Sequence, residues 1–249
     1  SARTTKTAAP AVPPSAMIRF LAGYCRDYPL DHKVFVAPSF IAGRQIGEAL
    51  AREAGSWINL RFVTLASLAH ETAALELSRL GTRLITGSEL LLFVDSLFRE
   101  MREGGRLEYF KSLEPSPGVS RALLRAIKDL RMEGLSGERI DAGLFAVASK
   151  GRDIRTLSAH YESRLEAAGG IDLAGLYSLA AKIAAQSGAA GVTHILFPAD
   201  TVLSRVEREF IEAMAGRHPV FVGRDPVFGL ERPRLFQTAN EECGIAPAR

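Results

Sequence analysis

Cysteine occurs only twice in the 249 residues, at Cys25 and Cys243. Two thiols so far apart match no metal spacing, and their scarcity points to a reducing compartment. No cysteine set for an iron–sulfur cluster is present either. Nowhere does an apolar run approach the ~20 residues that a helix needs to cross a bilayer. The N-terminal stretch also lacks the apolar centre of a secretion signal. The expectation is a soluble, cytoplasmic protein with no membrane partner. Charge of either sign is not in excess: 31 basic and 28 acidic residues leave a net +3. That balance permits a nucleic-acid partner without requiring one. The histidines, His32, His70, His160, His194 and His218, fall at no paired spacing for a metal or for the base of a nucleophile. They read as surface or capping residues. Ser39 has no G-x-S-x-G around it, so no nucleophile elbow is expected. Trp57, the one tryptophan, reads as a packing residue.

What is present is a 47% hydrophobic chain, long enough for a core that needs no staples. Residues 1–16 are rich in Ala, Thr and Pro and read as a disordered lead, with Met17 expected as the native start. Residues 240–249 read as a tail. Between them, strand patterns at about 33–37, 59–64, 194–198 and 219–223 alternate with helical ones, and a brief strand is expected at Leu84-Ile85. From about 106 to 188 only helical periodicity is read. The expected fold is α/β: a parallel sheet flanked by helices over 17–105 and 189–239, interrupted by a wholly helical insertion at 106–188. There is no internal repeat.

The chain is organised around Lys33 to Leu50. It reads as a short strand, a turn at Pro38-Ser39 and a helix from Phe40 to about Ala54, with Ser39 as N-cap and Gly55 at the left-handed C-terminal position. Strand, turn and helix N-terminus is the geometry in which P-loop proteins hold a phosphate. The spacing G-x-x-x-x-G-K-[ST] lies over Pro38 to Gln45, and of its four defining positions only Gly43 survives. Pro38 stands for the first glycine, Arg44 for the lysine and Gln45 for the Mg²⁺-binding hydroxyl. The same residues also fit an ordinary first βα unit.

Further motifs follow in order. Thr64-Leu-Ala-Ser-Leu-Ala69 resembles the Thr-Phe-His-Ser-Leu-Ala element of UvrD/RecB-type superfamily 1 helicases, with Thr64, Ser67, Leu68 and Ala69 matching. A strand-to-helix junction capped by Thr64 would look the same. Gly170-Ile-Asp-Leu-Ala-Gly-Leu-Tyr177 resembles their Leu-x-Asp-Phe-x-Asp-Leu-Leu element, with Asp172 and Leu176 matching; Asp172 equally caps the helix that follows. Where the family's Asp-Glu-x-Gln line would end a strand, this chain has Pro198, Ala199 and Thr201. Gly223-Arg-Asp-Pro226 resembles the family's Gly-Asp-Pro-x-Gln, with Arg224 intruding. Taken together, Lys33 to Pro226 resembles the N-terminal part of the AddB/RexB subunits of bacterial helicase–nucleases, whose helicase half is inactive. That resemblance implies double-strand-break repair, DNA as a ligand, a motor partner resembling AddA, and a C-terminal nuclease domain. No P-D-x(n)-[DE]-x-K arrangement is found here.

One pattern stands outside the resemblance. Arg121, Arg125, Lys128 and Arg131 follow i, i+4, i+7 and i+10, forming a basic stripe on a predicted helix. It suits contact with a DNA backbone, or else is a solvated helix face that Asp129 and Glu133 dilute. The function expected is therefore a non-catalytic, DNA-binding and scaffolding pseudo-helicase region with no cofactor. The alternative is a competent P-loop ATPase or DNA helicase with unusual motifs. A degenerate frame of this kind is expected to bind no ATP, because Pro38 lacks an N–H and Pro198 with Ala199 deletes the carboxylates.

Overall fold

The computed structural model describes residues 16–187, 194–198, 201–215 and 220–223. Residues 1–15 of the expected lead, the tail, Ala199 and the Arg224 to Pro226 part of the last motif lie outside the described residues. The chain is mixed α/β and divides into two compact units.

The first unit contains α1 (Ala16–Asp27), β1 (Lys33–Val36), α2 (Phe40–Ala54), β2 (Leu60–Val63), β5 (His194–Pro198) and β6 (Val220–Gly223). These four strands form one sheet in the order β2-β1-β5-β6, parallel throughout. Val34, Phe35 and Val36 are all buried. A strand apolar on both faces is what a central position in a parallel sheet requires. Amphipathic α1 closes one side, with Leu21 and Tyr24 meeting Phe35, Leu50 and Leu196 in a single cluster. Lys33 opens β1 yet is 1% exposed. Its ammonium donates to the Tyr28 and Asp31 carbonyls at 2.5 and 2.6 Å, which satisfies a charge that burial would otherwise disfavour.

The second unit contains α3 (Leu65–Leu80, from Ala66 onward), β3 (Arg83–Leu84), α4 (Gly87–Glu103), α5 (Pro117–Met132), α6 (Ala148–Ala167), β4 (Gly170–Ile171), α7 (Leu173–Ser187) and α8 (Arg205–Ala215). Its core joins Leu90, Val94, Leu97, Phe98 and Met101 of α4 to Leu123 and Ile127 of α5 and to Ile154, Leu157 and Tyr161 of α6.

Two expectations are corrected here. The boundary placed at residue 105 falls inside this core, because Phe98 and Met101 share it with Leu107 and Phe110; α3, β3, α4 and α8 belong with the helical unit. Nor is the stretch 106–188 wholly helical. Its β4 pairs in parallel with β3, Arg83 opposite Gly170 and Leu84 opposite Ile171. Gly170 permits that approach, since a Cβ there would lie 2.0 Å from Ile85 Cδ1. Ahead of α6 the chain makes a single 3₁₀ turn, Ala142–Leu144, capped by the Asp141 carboxylate.

Candidate functional site

The first strand of the first unit lies between β2 and β5, so the chain winds outward from it in both directions. In open parallel sheets the crevice at the carboxyl ends of two such strands is where ligands bind. Here that edge is formed by Ala37, Pro38, Ser39 and the start of α2 on one strand, and by Pro198 and Thr201 on the other.

The turn out of β1 is built locally. Ser39 is extended (φ −154°, ψ 163°) and its Oγ accepts from the Ala42 N–H at 3.1 Å, while its carbonyl takes the Gly43 N–H at 2.9 Å. Phe40 and Ile41, the first two residues of α2, are each 66% exposed. Pro38 is exposed in the turn. Gly43, the one surviving glycine of the phosphate-binding spacing, is buried within the helix, not in a loop. A Cβ on it would lie 3.1 Å from Phe62 Cβ and 3.3 Å from Ala37 Cβ, so its bareness lets α2 settle on β2. With Gly43 turned inward, Arg44 and Gln45 point to solvent. The Arg44 side chain is 76% exposed and sits 3.7 Å from Glu48 on the next turn.

At the end of β5 the Thr201 N–H and hydroxyl both donate to the Pro198 carbonyl, at 3.2 and 2.8 Å. Thr201 is thus spent on closing its own turn. Among the described residues this edge offers no carboxylate, and no group of three or more His, Cys, Asp or Glu is placed to hold a metal ion. No helix among them is long and apolar enough to cross a membrane.

The nucleic-acid candidates separate. Thr64 immediately precedes α3 and Ser67 lies in its first turn, both half-buried. Arg121, Arg125 and Lys128 are exposed on α5, with Arg125 3.8 Å from Asp129. Arg131 does not belong with them: it turns inward, its side chain 15% exposed. Nε and Nη2 donate to the two Asp172 carboxylate oxygens at 2.7 and 3.0 Å, Nη1 pairs with Glu162 at 2.8 Å, and the guanidinium lies 5.7 Å from the centre of the Tyr161 ring. The sequence held a sign of this, since ten residues along a helix turn Arg131 about 80° away from Arg121. Burial opposes the Arg131 charge, but hydrogen bonds and attraction from Asp172 and then Glu162 outweigh it, raising the pKa further. Burial likewise pushes Asp172 up. The Arg131 hydrogen bonds and charge, the Gly175 N–H and the Tyr161 hydroxyl overcome that and hold its carboxyl below the ordinary range. Asp172 also caps α7, accepting from Gly175 N–H at 2.9 Å. The matched motif residue is therefore a structural hub.

Two buried polar sites escaped the sequence reading. Asp153, on α6, is 3% exposed and accepts the backbone N–H groups of Glu108, Tyr109 and Phe110 at 2.8 to 3.1 Å. His194, expected at the surface or as a cap, is 5% exposed. Its Nδ1 lies 2.6 Å from the Tyr24 hydroxyl and its Nε2 3.3 Å from Asp31. Burial lowers the His194 pKa most, with nearby Asp31 pulling it back up. Nothing in the sequence marks either site, because each joins residues 43 to 170 positions apart.

No family model matches this chain, and no curated protein matches it.

Proposed function

We propose that this chain is the non-catalytic, helicase-type piece of a bacterial double-strand-break repair helicase–nuclease, of the kind its resemblance to AddB/RexB subunits implies. In this reading it contacts DNA and scaffolds a motor partner resembling AddA. One observation carries the proposal. The carboxyl edge of β1 and β5 has the frame of a nucleotide site, while its described chemical positions are committed elsewhere. Gly43 packs on Phe62, Arg44 points to solvent beside Glu48, and the Thr201 hydroxyl is bound to Pro198. A working site would need a lysine bridging the phosphates, a hydroxyl on Mg²⁺ and acidic residues around the metal. Strand order alone does not select this function, since doubly wound sheets carry many; the succession of degenerate motifs supports it. Of the stripe, Arg121, Arg125 and Lys128 are the groups left to meet phosphates.

Two measurements test the reading. Calorimetry with ATP·Mg²⁺ should register no binding in the micromolar range, and binding that Arg44→Ala abolishes would favour the competent ATPase instead. In the complete complex, replacing Arg121, Arg125 and Lys128 by Ala should weaken duplex-end binding and flatten its salt dependence by about one unit of slope per lost contact. Unchanged affinity and slope would remove these residues from the DNA path.

A further inference from the structure

The exposed part of the stripe borders a groove in the second unit, between the N-terminal turn of α4 and the length of α5. The groove has a volume of about 480 Å³. Half-buried Leu91 and Leu124 form its floor, and exposed Arg121, Arg125 and Lys128 stand at its rim. Asp129 is the one acid lining it, beside Arg125. Gly87 and Lys128 also line a smaller hollow of about 100 Å³, walled by Leu90 and Met132. A purely electrostatic contact would have no use for the leucines or the hollow.

The complement of an apolar trough with a cationic rim is a segment that carries apolar side chains along one face and carboxylates beside them. An amphipathic helix has that form, and laying one into a groove is a common mode of recognition. Single-stranded nucleic acid fits less well. Its unstacked bases bind over aromatic faces, and no aromatic residue lines the groove or the hollow. A duplex would meet the three cations and leave the leucines bare.

We propose that this groove docks an acidic amphipathic helix of a protein partner, with aliphatic anchors over Leu91 and Leu124 and carboxylates on Arg121, Arg125 and Lys128. The inference rests on the scaffolding half of the proposed function and not on the DNA half. Helix and DNA would use the same cations, so they exclude one another.

The test uses the full chain and a fluorescein-labelled peptide of about 16 residues, leucine at i, i+4, i+7 and i+11 and glutamate at most other positions. Anisotropy should show saturable binding that falls at least about tenfold with Leu124→Glu and with Arg121→Glu. Replacing the peptide leucines by alanine should have a similar effect. Arg121→Glu changes an exposed residue, so its result stands even where Leu124→Glu perturbs folding. Absence of saturable binding would overturn the proposal. So would binding that survives Arg121→Glu, or that survives loss of the peptide leucines and is therefore charge attraction alone. A single-stranded oligonucleotide whose binding the uncharged Leu124→Gln abolishes would overturn it too, assigning the groove to nucleic acid. Leu124→Gln removes the apolar anchor without adding a charge to the rim, so duplex binding measured with that variant reports on the DNA reading separately.

Discussion

Replacing Arg131 by Met removes the cation at the centre of the second unit's polar network while keeping a chain of similar length. In the native protein its guanidinium makes two hydrogen bonds to Asp172 and an ion pair with Glu162, and lies over the Tyr161 ring. The Asp172 side chain is 3% exposed, so without Arg131 its charge is left with the Gly175 N–H and the Tyr161 hydroxyl. Breaking a buried pair from one side costs about 3–5 kcal/mol, mainly because the remaining charge is uncompensated. The Arg125 side chain is 86% exposed, and Arg125→Ala should change stability by no more than about 0.5 kcal/mol. Urea unfolding followed by circular dichroism should therefore show a large fall in midpoint for Arg131→Met, with unchanged slope, and almost none for Arg125→Ala. Adding Asp172→Asn to Arg131→Met should restore part of the loss, since the amide still caps α7 without a charge. If the two single variants were equally stable, Arg131 would be an exposed member of the stripe and the network described here would be wrong.

Gly43→Leu should destabilise by roughly 1–3 kcal/mol, because the added side chain meets Phe62 and Ala37; an unchanged unfolding midpoint would return Gly43 to a functional role. Asp153→Ala should cost at least about 2 kcal/mol and lower the hydrogen-exchange protection of the Glu108, Tyr109 and Phe110 amides, which lose their acceptor. The pH dependence follows from His194, whose folded pKa lies below its unfolded value of about 6.5. Between those two values the unfolded chain binds the proton and the folded one does not, so stability should fall as pH drops below about 6.5. His194→Gln should flatten that part of the profile. Asp172 acts at lower pH: its depressed carboxyl contributes stability above the ordinary Asp range and loses it as pH falls through the folded value.

The sequence by itself determined the elements whose cause is local. The apolar run at 34–36, the Ser39 cap and left-handed Gly55 place β1 and α2 without reference to any distant residue. The periodicity of Leu90, Val94, Leu97, Phe98 and Met101 is enough to say that α4 hides one face. That Gly43 alone meets the phosphate-binding spacing over Pro38 to Gln45 is also written in the residues themselves. What the pattern cannot carry is the partner. The buried face of α4 reads the same whether it covers a sheet or joins a helical core, and packing with α5 and α6 decided that it belongs to the second unit. β4 has two residues and no alternation; it is a strand because Gly170 lets the chain come up against Ile85. Arg131 shares a charge and a helix with Arg121, Arg125 and Lys128. It leaves their stripe because Asp172, 41 positions away, arrives beneath it, and bringing such distant charges together is the work of tertiary packing alone.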